Sequence, residues 1–244
     1  MKQALLVVFF WGTLCLALNA SALTVVVKEE PPYFSHKLPG QGLSASIVKT
    51  ALAKAGYPVS FAFESWPRAY EGAEIGVYDV VGSIWYTDER AREFHFSEPY
   101  LMHEIKFIKR KSDQDIRFES LDDLDGLIVG TLQGYAYDDE FLKSRKFVKL
   151  PQNYLLQNLL KLSLGEIDLT LGEERKVRYE LNEFMKKRTQ EFEFLPKPLI
   201  RRGTHIAIGR SHPEHEKIVK AFNKAIQSMK ADGSYNKLLS EFDN

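Results

Sequence analysis

The chain has 244 residues, 44% of them apolar and 27% charged, which suits one large folded domain or two small ones and argues against a disordered chain. Its 33 basic and 33 acidic residues cancel, giving no support to a nucleic-acid partner, which would leave a clustered basic surface. At the N-terminus, Lys2 precedes an apolar stretch from Ala4 to Leu18 and then Ala20-Ser21-Ala22, the pattern of a secretory leader cleaved after Ala22. An uncleaved anchor is the alternative, but roughly fifteen apolar residues fall short of a bilayer span. Cys15 lies inside this leader, so the mature protein has neither thiol nor disulfide, and Leu14 before it argues against lipidation. Loss of Lys2 with the leader leaves 32 basic against 33 acidic residues.

Leu23 to Lys28 reads as a buried strand stopped by Pro31-Pro32, followed by a loop carrying Tyr33 and Phe34. Ile47, Val48, Ala51, Leu52 and Ala55 recur at helical spacing, with Gly56 just past the end. Tyr57 to Phe63 alternates as a strand, a short helix follows Trp66-Pro67-Arg68, and Val77 to Ile84 is another apolar strand. Beyond Arg110 the order repeats: a helical turn at Ser120 to Leu124, a strand at Leu127 to Leu132, a glycine turn and a helix through Phe141. A strand at Phe147 to Leu150, a helix at Tyr154 to Leu164 and a strand at Ile167 to Leu171 complete the second series. Such alternation predicts parallel sheets covered by helices. Gly76-Val77-Tyr78-Asp79 with Gly82, and Gly165-Glu166-Ile167-Asp168 with Gly172, look like one unit used twice, hence two similar α/β lobes. Ligands of open α/β sheets bind beyond the carboxyl ends of strands, which directs attention to the residues just after Gly82 and Gly172.

Ser83-Ile84-Trp85-Tyr86-Thr87-Asp88-Glu89-Arg90 and then Phe96-Ser97-Glu98-Pro99-Tyr100 resemble the signature of the amino-acid-type periplasmic solute-binding proteins, the extracellular family 3 of ABC importers. The similarity continues through Ser120 to Gly126, the strand from Leu127, the Gly165-x-x-Asp168 unit and a tail around Lys230 to Tyr235. The resemblance implies a two-lobed type II periplasmic-binding-protein fold with two crossover hinges, near Tyr100 to Glu104 and Ile200 to His205. Lobe 1 would comprise residues 23–99 plus 206–244, with helices from Pro213 to Phe242 returning to it, and lobe 2 residues 100–205. It further implies a periplasmic monomer that closes around a small polar solute and docks on an inner-membrane ABC permease, with no cofactor.

By the same resemblance Arg90 grips a ligand carboxylate, a task suited to the planar guanidinium, assisted by Thr87 and Ser83. The alternatives are a surface ion pair of Arg90 with Glu89 or Glu93, and a helix N-cap role for Thr87. Where relatives carry Gly followed by Ser or Thr, this chain has Gly134-Tyr135-Ala136, and Glu173 stands where an acidic residue, commonly Asp, binds the α-ammonium. Glu173 is either in the cleft or an exposed carboxylate at a helix start. Tyr33 and Tyr135 are among the aromatics at the expected cleft, Trp66, Trp85 and Phe34 are each cleft wall or core, and Tyr86 is read as buried packing. Arg68 either meets an anionic ligand group or pairs with Glu64 or Glu71. The six histidines show no metal-ligand spacing, His212 and His215 flanking Pro213 included. Two further functions stay open at this point: a dehydratase-like enzyme on the same fold, and a free ligand-presenting sensor.

Overall fold

A computed structural model describes residues 22–135 and 137–242. Residues 1–21, on which the leader reading and Cys15 fall, and Ala136 of the glycine loop lie outside the described residues.

The β-branched run after the leader forms β1 (Leu23–Val27), buried at four of its five positions. It lies between two parallel neighbours, β2 (Val59–Phe63) and β3 (Val80–Trp85). The crossovers are α1 (Leu43–Lys54) and α2 (Trp66–Glu74), the first burying the apolar stripe that its spacing predicts. After α3 (Arg90–Glu93) and the short β4 (Phe94–Phe96) comes β5 (Leu101–Arg110). The second series repeats the arrangement. The central β6 (Ile128–Leu132) is parallel to β7 (Val148–Gln152) and β8 (Leu169–Glu173), with α4 (Asp139–Lys143) and α5 (Leu155–Ser163) between them. The chain continues through α6 (Glu174–Phe184), the long β9 (Phe192–Gly209), α7 (His215–Ala231) and α8 (Ser234–Phe242).

The strand order is β2-β1-β3-β9-β5-β8-β6-β7, with β4 also on β9. The expectation of parallel sheets holds within each outer set of three strands. It fails at the centre, where β3 to β9, β9 to β5 and β5 to β8 all pair antiparallel. The two long strands β5 and β9 are the segments that pass between lobes, and they run side by side, Leu101 opposite Thr204 and Glu104 opposite Arg201. Helices cover both faces of each half. In lobe 1, α1, α7 and α8 close one core around Val25, Ile47 and Phe222, and α2 closes another around Val26 and Ala73. In lobe 2, Phe107, Phe118 and Phe141 form one core, and Leu159, Val177 and Leu181 the other.

The repeated Gly-x-x-Asp unit has one structural role in both lobes. Gly76 (φ 81°) and Gly165 (φ 76°) end a helix in the left-handed region that a side chain disfavours. Three residues on, Asp79 accepts the Thr24 amide at 2.7 Å and Asp168 the Ile128 amide at 2.8 Å, fixing each incoming strand against the start of its central neighbour. For that reason β3 begins at Val80 and not at Val77: the Val77 and Tyr78 amides are still turned back onto the Gly72 carbonyl. Gly82 lies so close to β1 that an added Cβ would come within 2.6 Å of Val27 Cγ1.

Candidate functional site

The carboxyl end of β3 delivers Ser83 and Trp85 to the boundary between the lobes, and the turn after it delivers Thr87 and Arg90. The Thr87 hydroxyl accepts the Arg90 amide at 3.2 Å and its carbonyl the Ala91 amide at 3.0 Å, so Thr87 caps the first turn of α3. Arg90 is half-buried. Its Nη1 donates to the Trp85 carbonyl at 2.8 Å, and its Cζ stands 5.2 Å from the centre of the Trp66 ring. Neither Glu89 nor Glu93 pairs with it; Glu93 takes the Tyr70 hydroxyl instead. Ser83 lies beside the buried Tyr100 hydroxyl.

Lobe 2 meets these residues from the carboxyl ends of β6 and β8. Gly134 (φ 69°) turns the chain, and the next ring, Tyr135, stands edge-on to Trp85 with centroids 5.0 Å apart. Glu173 ends β8, accepts the Lys176 amide at 3.0 Å as the N-cap of α6, and receives the Tyr33 hydroxyl from lobe 1. It stands at a helix start, as one reading had it, but is not exposed: only 8% of it is accessible, and it faces the other lobe. One turn on, Lys176 donates to Glu30 of lobe 1 at 2.7 Å. Trp85 with Tyr135, Tyr33 with Glu173 and Glu30 with Lys176 hold the two lobes together in a closed arrangement.

Three expectations are corrected. Phe34 is a core residue, 1% exposed and packed edge-on against Phe61, because the tight turn at residues 30–34 points Tyr33 to lobe 2 and its neighbour inward. Arg68 is turned to solvent with 78% of its side chain exposed, and its partner is Glu64 at 3.7 Å. Tyr86 is 48% exposed rather than buried, resting on Phe96 at the sheet's edge.

Four residues join the site that sequence reasoning missed. Glu30 lies just past the carboxyl end of β1, so the crevice rule applied to the strands near Gly82 and Gly172 extends to it. Lys176 stands three residues after the cap Glu173, a spacing that brings it to the same helix end. His103 and Arg202 had no such signal: they face each other only through the β5–β9 register. His103 packs edge-on under Tyr33 at 4.9 Å, and the Arg202 guanidinium lies 5.9 Å from the Trp85 ring. A cleft of about 730 Å³ opens beside Glu173, lined by Pro32, Met102, Glu104, Lys106 and Arg178 among others. Arg90, Trp85 and Tyr135 do not line it.

Burial, and then the Glu173 carboxylate, push the Tyr33 hydroxyl well above its ordinary range, so it remains a donor. Burial works to raise Glu30, but Lys176, Lys28 and His103 together outweigh it and the carboxyl lies below its usual value. His103 is lowered by burial, which outweighs the opposing pull of Glu173 and Glu30. An imidazole lowered in the folded state is protonated more readily when unfolded, so its contribution to stability is lost as pH falls below its ordinary value near 6.5. We expect the melting temperature to drop between pH 7 and pH 5 through this group, and the drop to flatten in His103→Gln. Thermal unfolding followed by circular dichroism checks it; an equal slope in the variant would remove His103 from the account.

Two α/β lobes joined by a paired double crossover, with half-buried polar and aromatic side chains facing each other across the boundary, define a solute-binding protein that encloses its ligand. The chain belongs to the bacterial extracellular solute-binding proteins, family 3, whose pattern matches residues 23–242. That membership makes it a binding protein and not an enzyme. Among curated relatives, a probable histidine-binding protein of Campylobacter jejuni is 22% identical over 229 residues, covering 91% of this chain and 86% of the relative. An arginine-binding periplasmic protein of Mannheimia haemolytica is 21% identical, covering 99% and 98%. Of solved structures, the GluR0 ligand-binding core in complex with L-glutamate matches with a TM-score of 0.74 at 15% identity, over 92% of this chain and 99% of that one. An arginine transport-system periplasmic binding protein from Legionella pneumophila matches with a TM-score of 0.70 at 23% identity, over 91% and 99%. At these identities the solved structures bear on the fold alone.

Proposed function

We propose that this protein is the periplasmic receptor of an ABC importer for an amino acid or a related small molecule carrying a carboxylate and an amine. In this reading the leader is cleaved after Ala22, and a monomer docks its closed form on an inner-membrane permease. The lobes are residues 23–99 with 206–244, and 100–205, and they part by bending in the paired segments at Tyr100 to Glu104 and Ile200 to His205. Arg90, with Thr87 and Ser83, takes the carboxylate; Glu173 takes the ammonium; Trp66, Trp85, Tyr33 and Tyr135 enclose the body between them. Gly134 gives the lobe-2 loop its turn.

The observation that carries the reading is Arg90 itself. It is half-buried, held by the Trp85 carbonyl and the Trp66 face, and makes no ion pair among the described residues. A guanidinium fixed in place without a counter-charge is suited to an anionic guest. The relatives named for histidine and arginine binding support a zwitterionic one. The test is to denature the mature protein, identify the released small molecule by mass spectrometry, and rebind it to refolded protein by calorimetry. A zwitterion binding in the micromolar range or tighter, about −8 kcal/mol, is the expected result. No binding of any amino acid or small carboxylate-amine would overturn the proposal.

A further inference from the structure

We infer that His95, His215 and Glu216 form a binding site for a divalent ion of the zinc class on lobe 1. Sequence spacing hides the trio, since His95 lies far upstream of its two partners. The fold brings them together. His95 sits on β4, paired with Ile208 of β9, and His215 and Glu216 open α7. One donor atom from each side chain falls within 4.8 Å of the other two, and the two imidazole rings stand 5.3 Å apart, centre to centre. The group shares no residue with the interlobe site.

A second observation points to a ligand there. Nδ1 of His215 is buried and has no hydrogen-bond partner among the described residues. Buried polar atoms are nearly always satisfied, and one left over needs an explanation. His212, the nearer histidine in sequence, is occupied otherwise: its Nδ1 accepts the Glu214 amide at 3.1 Å and its Nε2 lies 3.5 Å from Asp79. A shallow cavity of about 370 Å³ adjoins the trio, lined by His95, Glu98 and Glu216. It leaves room for a water in the remaining coordination position.

Two imidazoles and a carboxylate with one open position are a donor set for zinc, and imidazole favours zinc, nickel and copper over magnesium and calcium. Zinc bonds of about 2.0–2.2 Å place tetrahedral donors about 3.4 Å apart, so the three side chains must close by roughly 1.4 Å. The proposal requires rotation of the exposed Glu216 and the half-buried imidazoles to supply this. Glu216 and Glu98 bring negative charge to the positive end of α7, opposed by Lys220 and Lys224 in the same lining and by Arg210 near His95. A bound ion would tie the edge strand β4 to the start of α7, stiffening lobe 1 and leaving the interlobe site untouched.

The test uses untagged mature protein, stripped with a chelator and titrated with zinc chloride. The expected result is one ion per chain by calorimetry and a melting temperature raised by about 5 °C at a hundredfold excess over Kd. Magnesium should have no effect. His95→Ala and His215→Ala should each weaken zinc binding at least tenfold, with His212→Ala unchanged. Absence of saturable binding, or full binding by His95→Ala, would overturn the inference. Should a variant fail to fold, the wild-type imidazole NMR signals decide: zinc must shift those of His95 and His215, and shifts confined to other histidines refute the site.

Discussion

Replacing Arg90 by alanine is expected to weaken binding of the released solute at least 100-fold in calorimetry while leaving the fold intact. Charge-assisted hydrogen bonds contribute about 1.5–3 kcal/mol each, and a guanidinium can offer two to one carboxylate. Here the side chain is already held in place by the Trp85 carbonyl and the Trp66 ring. Little ordering entropy is therefore left to lose on binding. Removal also strands the ligand's carboxylate in a closing, poorly solvated cleft, which makes truncation costlier than the pair is worth in water. Arg90→Lys should fall between, since a point charge keeps the attraction and loses the fork. Arg68→Ala is the control: that side chain is 78% exposed and pairs only with Glu64, so affinity should stay within about twofold. If Arg90→Ala binds within threefold of wild type, the carboxylate is held elsewhere.

Glu173→Gln should reduce affinity for a solute with an ammonium group by about 10- to 100-fold and leave the melting temperature nearly unchanged. The amide oxygen can still accept the Lys176 amide and the Tyr33 hydroxyl, as the Glu173 carboxylate does in the closed form. What disappears is the charge. Glu173→Ala separates the two roles: it loses the cap, about 1 kcal/mol, and leaves the buried Tyr33 hydroxyl without its acceptor, a further ~1–3 kcal/mol. That variant should therefore melt several degrees lower as well as bind poorly. Unaltered affinity in Glu173→Gln, measured alongside the thermal melt, would show that this carboxylate serves the fold alone.

Local chemistry explains which parts of this molecule were legible in the sequence. The stripes of α1 and α5 are set by 3.6-residue spacing, and the Gly-x-x-Asp units by a turn and a cap within four residues. Both are short-range and can be read directly. Arg90 and Thr87 were singled out through the resemblance, whose motif lies in one turn after a strand. The long strands β5 and β9 were not legible. Their pattern is charged and interrupted by Pro196 and Pro198, and only their pairing with each other reveals them. The closure contacts depend on that pairing, which is why His103 and Arg202 went unseen. Phe34 illustrates a finer limit. Two adjacent aromatics point opposite ways, and a shift of one residue in the turn decides which of them faces the other lobe.

The strand order also governs when each half of the molecule can be completed. The core around Val25, Ile47 and Phe222 draws on the strand and helix made just after the leader and on the last two helices of the chain. Lobe 2 draws only on residues in between. Delivered from its N-terminus, the chain presents every strand of lobe 2 before α7 and α8, and until those helices follow, the apolar face of α1 lacks part of its cover. The part delivered first is the part whose core is completed last.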